Sequence, residues 1–122
     1  MKENYKKILY KRLFNFSLDC IKLSEKLKEN KKPWPLADQL IRSGTSIGAN
    51  IIEAKSASSK KDFIKFYQIA LKSSNETTYW LLLINNSYLE FKKISAKLIK
   101  ESEEISKIIA KSVITLKNKK DI

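Results

Sequence analysis

The scarcity of residues that interrupt helices is the feature that most restricts how this chain folds. Only two glycines and two prolines occur among its 122 residues, and both glycines lie in one stretch, RSGTSIGANIIEA, at positions 42–54. Because glycine and proline mark turns, a chain with so few of them favours long helices over many short strands. The length is that of one domain with a sizeable core. We therefore predict a single all-α domain over residues 1–122.

Apolar residues recur every three or four positions in the first half of the chain, which is the pattern of amphipathic helices. In the first predicted helix this stripe runs from Tyr5 to Leu27, and the helix ends near Asn30. The segment KKPWP then interrupts the pattern. Proline suits the first turn of a helix, so a second helix is expected to start close to Pro35 and to run to about Ser56.

Two further helices follow with the same periodicity. Ser59 and Asp62 stand at the spacing of a capping box, and a heptad-like seam occupies positions 63–84. INNSYLEFKK is the predicted loop, and the fourth helix carries a stripe over positions 94–116 before a basic tail at about 117–122. Four helices with short connections predict an antiparallel up-down-up-down four-helix bundle.

The second helix has an apolar face with Gly44 and Gly48 one turn apart at its centre. Residues without side chains let a neighbouring backbone approach closely, so we predict helix packing at both positions. A phosphate-binding loop is disfavoured, because GTSIG lacks the spacing and the terminal Lys-Ser/Thr of that motif. A nucleophilic role for Ser46 would need a base, and the chain contains no histidine.

The opposite face of the same helix carries a polar stripe formed by Arg42, Ser46, Asn50 and Glu53. Such a stripe is usually a solvated helix face. Ser and Asn are, however, indifferent helix formers, and a purely solvated face more often carries Glu and Lys. The composition of this stripe therefore favours a subunit contact or a ligand surface.

Several classes of function are disfavoured by composition. Without histidine and with the single cysteine Cys20, the usual metal-ligand sets and histidine acid–base pairs are missing, and Cys20 is expected in the core. Acidic residues are scattered, so we expect no enzyme activity, no catalytic residues, no metal and no cofactor. We also expect a cytoplasmic protein, because neither a signal peptide nor a membrane span is recognisable.

The formal net charge is +12, from 25 basic and 13 acidic residues. In the predicted topology, residues 1–12, 53–65 and 111–122 share one end of the bundle, which we call the basic end. They contain thirteen basic and four acidic residues, so they carry +9 of the total charge. This asymmetry favours phosphate-bearing partners, RNA or DNA. The candidate binding residues are Lys6, Lys7, Lys11, Lys55, Lys60, Lys61, Lys65, Lys117, Lys119 and Lys120.

Aromatic side chains near helix ends could stack on unpaired bases. Tyr5, Tyr10 and Trp34 lie nearest to such ends. The alternative is that each of them caps the hydrophobic core.

Positions 36–84 resemble the small bacterial four helix bundle protein family, which includes proteins encoded in 23S rRNA intervening sequences and accessory proteins of diversity-generating retroelements. The resemblance is carried by RSGTSIGANIIEA at 42–54 and by KKDFIKFYQIALKSSNET with YWL at 60–82. Ile52 and Asn75 depart from the pattern, which leaves the subfamily open.

The resemblance implies a four-helix protomer that assembles into a ring-like homopentamer with a basic surface. In the retroelement members such a ring accompanies a reverse transcriptase and binds nucleic acid. It also implies helix or subunit contacts for the polar stripe and for Glu76 and Trp80, with Glu76 as a partner for Arg42.

The leading hypothesis is accordingly a non-enzymatic, homo-oligomeric accessory protein that binds RNA or DNA mainly through phosphates. The alternative is a structural scaffold that docks onto a protein partner, such as a reverse transcriptase or another enzyme, without binding nucleic acid. A nuclease and a membrane-surface protein are the remaining alternatives; the apolar stripes needed at a membrane already form the predicted core.

Overall fold

The computed structural model describes residues 3–119, and this part of the chain consists of helices without strands. The four long helices are α1 (Glu3–Glu29), α2 (Trp34–Glu53), α3 (Lys60–Ser87) and α4 (Lys92–Asn118). Two short 3₁₀ turns, Ala54–Ser56 and Leu89–Phe91, follow α2 and precede α4. The predicted all-α class is confirmed, and a four-helix bundle fits the packing of these helices.

The start of α3 is capped almost as its sequence predicts. Ser59 Oγ accepts a hydrogen bond from the Asp62 backbone N–H at 3.0 Å. The Asp62 carboxylate accepts from the backbone N–H of Ser58 at 3.2 Å, and not from that of Ser59. Both bonds use backbone donors at the helix start that have no partner within the helix.

The loop predicted at INNSYLEFKK is too long, because α3 continues to Ser87 and α4 already begins at Lys92. Asparagine usually competes with helix formation through its side chain. Here Asn86 Nδ2 donates to the Leu82 carbonyl within α3 at 2.8 Å. Asn85 Nδ2 instead crosses to α4, where it donates to Ser95 Oγ at 3.0 Å. The two amides are thus satisfied without ending the helix.

The hydrophobic core includes every predicted apolar position of α1 from Leu9 to Leu27. In α4 the buried line differs from the predicted stripe. Its members are Ser95, Leu98, Ser102, Ile105, Ile109 and Val113, whereas four predicted members are only partly buried, namely Ile94, Ile108, Ser112 and Leu116. The predicted stripe includes Ser112 but misses Ser95 and Ser102, which hydrogen-bond to Asn85 and Thr78 of α3.

Hydroxyl pairs between α3 and α4 explain why small polar residues are tolerated inside the fold. Ser74 Oγ lies 2.6 Å from Ser106 Oγ, and Thr78 Oγ1 lies 2.7 Å from Ser102 Oγ. Within residues 3–119, no buried side-chain nitrogen or oxygen lacks a hydrogen-bond partner. Burial of these groups therefore carries little desolvation penalty.

The two glycines of α2 differ in how closely α1 approaches them. A Cβ atom at Gly44 would lie 2.6 Å from Cys20 Sγ and 2.9 Å from Cys20 Cβ, whereas one at Gly48 would lie 3.5 Å from Leu13 Cβ, an ordinary contact. Both glycines therefore pack against α1, and Gly44 is the one at which a Cβ atom would overlap its neighbour. Cys20 is fully buried, and burial raises the pKa of its thiol to about 12, so it packs as a small neutral core residue.

Gly44→Ala is expected to destabilise the protein by about 1–3 kcal/mol, because the new methyl group overlaps Cys20 and forces α1 away from α2. Gly48→Ala is the matched control. It should be neutral or stabilising by up to about 1 kcal/mol, since alanine is the better helix former. Urea unfolding followed by circular dichroism measures both. Equal changes in the free energy of unfolding would contradict the conclusion that α1 approaches Gly44 more closely than Gly48.

Candidate nucleic-acid interface

A cavity of about 710 Å³ collects residues from four places in the chain: the first turns of α1, the end of α2 with its 3₁₀ turn, the start of α3 and the end of α4. We call it the basic cavity. Among residues 3–119, four lysines and no carboxylate line it. Its members are Lys6, Tyr10, Ala54, Lys55, Ala57, Ser59, Lys60, Phe63, Leu116 and Lys119.

A second concave surface adjoins the basic cavity through the shared Lys60, and we call it the lysine depression. Its members are Lys60, Lys61, Ile64, Lys65, Gln68 and Lys117. Seven of the ten predicted binding lysines therefore line one of these two adjoining surfaces, and neither surface has an acidic member among residues 3–119. The three segments grouped in the sequence as the basic end do contribute to a common surface.

The other three predicted lysines lie elsewhere. Lys11 lines a groove between α1 and α2, Lys7 is exposed on α1, and Lys120 lies outside the described residues. Lys111 belonged to the basic end but not to the predicted binding residues. It lines a further depression with Tyr5 and Lys119.

Direct contacts organise the basic cavity. Lys60 Nζ donates a hydrogen bond to the Lys119 carbonyl, which joins the start of α3 to the end of α4. Lys55 Nζ lies 4.1 Å from the centroid of the Tyr10 ring, which joins α2 to α1 through a cation–π contact. These contacts bring the lysines and the aromatic lining to one place.

The aromatic lining of the basic cavity packs on a buried tyrosine ring. The Phe63 ring stacks on Tyr67 with a centroid separation of 4.9 Å, and Tyr67 is 1% exposed. Burial raises the pKa of Tyr67 to about 12, with a smaller contribution from Tyr10. The neutral, fixed Tyr67 ring holds Phe63 in position.

The aromatic residues singled out in the sequence have different environments. Tyr10 lines the basic cavity, and Tyr5 lines the adjacent depression while remaining 46% exposed. Trp34 lies at the opposite end of α2, 62% exposed, with Lys28 Nζ 4.8 Å from its ring centroid. Trp34 is thus separated from the lysine-rich surface.

Arg12 was counted with the basic end, but its charge is compensated within the protomer. Its guanidinium donates two bonds of 2.7 Å to the Glu101 carboxylate and one of 2.8 Å to Glu104. This fork joins α1 to α4, and the bond from Arg12 holds the pKa of Glu101 below its ordinary value of 4.5. Arg12 is therefore a structural residue, and phosphates are left to the lysines.

The polar stripe of α2 and its predicted partners on α3 meet within one protomer. Arg42 forms an ion pair with Glu76 and also donates to Gln39 Oε1 at 2.7 and 2.9 Å. Trp80 Nε1 donates to the same Glu76 carboxylate at 3.2 Å. The contact expected between Arg42 and Glu76 is present, and it joins α2 to α3.

One turn further along the stripe, hydroxyl and amide groups continue this contact. Ser73 Oγ donates to Ser46 Oγ at 3.1 Å, and Asn50 Nδ2 donates to the Ser46 carbonyl at 2.8 Å. Glu53 differs from the rest of the stripe, since it is exposed and forms no ion pair with any residue between 3 and 119.

Neither a metal centre nor a membrane span is found in the part of the chain that the structure covers. Its cysteine and carboxylates form no group of three or more that could hold a metal ion. Among the same residues, no helix combines the length and the hydrophobicity that crossing a bilayer requires.

Fold and surface together define a small all-helical protein with lysines concentrated at one place. The sequence profile of the 23S rRNA-intervening sequence protein family matches residues 6–111. The chain belongs to this family, as its residues predicted.

A solved structure with the same fold is the crystal structure of a protein of unknown function from the S23 ribosomal protein family of Bacteroides thetaiotaomicron. It is 38% identical in sequence with a TM-score of 0.79, and the alignment covers 86% of this chain and 97% of that one. No curated protein sequence matches this chain significantly.

Glu101→Gln tests the ion pair that holds Arg12. A carboxylate whose pKa is depressed in the folded state stabilises the protein above its ordinary pKa, and this contribution is lost as the pH falls through the folded value. The variant should thus be less stable than the wild type by about 1 kcal/mol at pH 7, and the difference should vanish in acid. Glu103→Gln, at an exposed neighbouring position, is the control. Equal stability of wild type and Glu101→Gln at pH 7 would contradict this role.

Proposed function

We propose that this protein is a non-enzymatic, homo-oligomeric accessory protein that binds RNA or DNA through the phosphates. The observation that carries the proposal is the concentration of seven lysines on the basic cavity and the lysine depression, where no acidic residue from the described part of the chain joins the lining. A phosphate chain that contacts several lysines releases condensed counterions, which drives binding at low salt. Membership of the 23S rRNA-intervening sequence protein family agrees with a nucleic acid as ligand.

We infer an antiparallel up-down-up-down arrangement for the four helices. Residues late in α1 contact residues early in α2, as in the 2.9 Å bond from Ser24 Oγ to the Ala37 carbonyl. The same inversion holds between α3 and α4, where Ser74 meets Ser106 and the later Thr78 meets the earlier Ser102. This arrangement explains why lysines from four separate segments share one end.

The engagement of both arginines supports phosphate binding over base-edge readout. Bidentate arginine contacts to guanine are the commonest specific contacts in the major groove. This chain has only Arg12 and Arg42, and they are held by Glu101 and by Glu76 respectively. Lysine is a compact charge suited to phosphate. The protein should thus bind with little preference for sequence.

Assembly of several copies is supported by apolar surface that one protomer leaves exposed. Phe14 is 65% and Ile52 48% exposed, and both line the apolar groove, a cavity of about 640 Å³ between α1 and α2. Tyr79 and Leu82 on α3 are 56% and 43% exposed. Contact between two different patches of neighbouring copies is heterologous, and it forms a ring when the rotation between copies closes. We propose the ring-like homopentamer that the family resemblance implies.

The proposed setting is the cytoplasm, with a reverse transcriptase or another protein as a further partner. The competing function is a scaffold that uses the same exposed apolar surface to hold a protein partner and binds no nucleic acid. Nucleic-acid binding and assembly are separable in solution, so each has its own test.

The double substitution Lys61→Glu with Lys65→Glu should weaken RNA binding on the order of tenfold at low salt, and should lower the slope of log affinity against log salt by roughly 1 to 2. Both lysines are exposed, and an acidic residue at position 61 suits the first turn of α3. Fluorescence anisotropy with a labelled single-stranded RNA measures both quantities.

Lys22→Glu with Lys93→Glu is the control, because it makes the same change of charge at exposed positions outside both lysine surfaces. This control variant should lose clearly less RNA affinity. Equal losses in the two variants would indicate attraction by net charge alone. Failure of the wild type to bind RNA or single-stranded DNA at low salt would refute the proposal and favour the scaffold.

Light scattering on the purified protein should give a mass several times that of one chain. Ile52→Lys should reduce this mass, because it introduces a charge into the apolar groove. Ile114→Lys changes an isoleucine on α4 that is 61% exposed and serves as the control. A monomeric wild type at every concentration would contradict the ring.

A further inference from the structure

The basic cavity combines two kinds of lining that a phosphate site alone does not require. Lys6, Lys55 and Lys119 contribute positive charge, while Tyr10 and Phe63 contribute aromatic rings. Its volume of about 710 Å³ falls within the roughly 300–1,000 Å³ typical of small-molecule sites. The lysine depression next to it has four lysines and no aromatic member. Phosphate contact therefore has a surface of its own. Tyr10 and Phe63 pack against the hydrophobic core and in addition line the basic cavity.

The aromatic lining is pre-organised. Phe63 rests on the fully buried Tyr67, and Tyr10 is fixed beneath the Lys55 ammonium group at 4.1 Å. Ala54 and Leu116 complete the apolar part of the wall, and Ala54 is 1% exposed. A planar apolar group that enters here meets surfaces already in place, so little conformational entropy is lost on binding.

We propose that the basic cavity binds one unpaired nucleotide, with its base against the aromatic lining and its phosphate at the lysines. This rests on the nucleic-acid-binding function proposed above and specifies the ligand. A nucleotide combines a planar base with a phosphate, and stacking on aromatic side chains tolerates any base. Paired bases in a duplex are already stacked inside the helix, so they cannot enter the cavity without being extruded.

The lysine depression then holds the phosphates that adjoin the bound nucleotide. Lys60 is common to both surfaces. Its hydrogen bond to the Lys119 carbonyl connects the two surfaces. One single strand can thus run along the depression while one of its bases occupies the cavity. The protein should favour single strands and ends over duplexes.

The test compares three labelled probes of equal length: a single-stranded RNA, the same strand in a blunt duplex, and a single strand in which every nucleotide is abasic. The wild type is expected to bind the intact strand on the order of tenfold more tightly than the abasic strand. Ala57→Phe fills the cavity without changing its charge. It should bring the ratio of the affinities for the intact and the abasic strand close to one, while the abasic strand is still bound. Ala96→Phe makes the same change at an exposed alanine of α4 and should keep the ratio.

Phe63→Leu is a second variant, which keeps an apolar side chain but removes the aromatic ring; it should also lower the ratio. Thermal melts by circular dichroism verify that both cavity variants are folded. Equal binding of intact and abasic strands by the wild type would overturn the nucleotide site while leaving the phosphate-binding function intact. Failure to bind any probe would refute both.

Competition distinguishes a free nucleotide from one within a strand. If AMP displaces the labelled strand at concentrations where inorganic phosphate does not, a free nucleotide is an occupant of the cavity. If neither displaces it and the preference for intact over abasic strands persists, the occupant is a nucleotide within a chain. Both results support the site, whereas displacement by AMP and phosphate at equal concentrations would argue against recognition of the base.

Discussion

The close approach of α1 and α2 at Cys20 and Gly44 is the constraint on which the remaining contacts depend. A Cβ at Gly44 would lie 2.6 Å from the cysteine sulfur, so no other residue type fits without displacement of one helix. On one side of this point Ser24 reaches the Ala37 carbonyl, and on the other Lys55 reaches the Tyr10 ring. The geometry of the basic cavity therefore depends on a packing contact several helical turns away.

Arginine and lysine have different roles in this protein. The two guanidinium groups form ion pairs that join α1 to α4 and α2 to α3, and these pairs suit arginine because its planar fork matches a carboxylate. Lysines line the basic cavity and the lysine depression, and no acidic residue between positions 3 and 119 lines either surface. This division leaves a surface suited to phosphates and poorly suited to reading base edges.

Periodicity predicted the four helices and the α1 core because apolar spacing records which face is buried. It misjudged the boundary after α3, since the helix-breaking tendency of Asn85 is cancelled by its bond to Ser95 of α4. The charge count of the basic end included Arg12, because its partner Glu101 is 89 positions away and could not be recognised from the sequence. The common surface of the lysines followed from topology, but the cavity between Tyr10 and Phe63 did not, because its shape depends on side-chain packing across three helices.

If single-stranded nucleic acid lies along the basic cavity and the lysine depression, it shields the lysines of these two surfaces from solvent. Lysine acetylation read by mass spectrometry, with and without single-stranded RNA at low salt, measures this shielding. We expect protection of Lys55, Lys61 and Lys119, and unchanged acetylation of Lys22 and Lys93. Protection spread evenly over all lysines, or confined to Lys22 and Lys93, would contradict it.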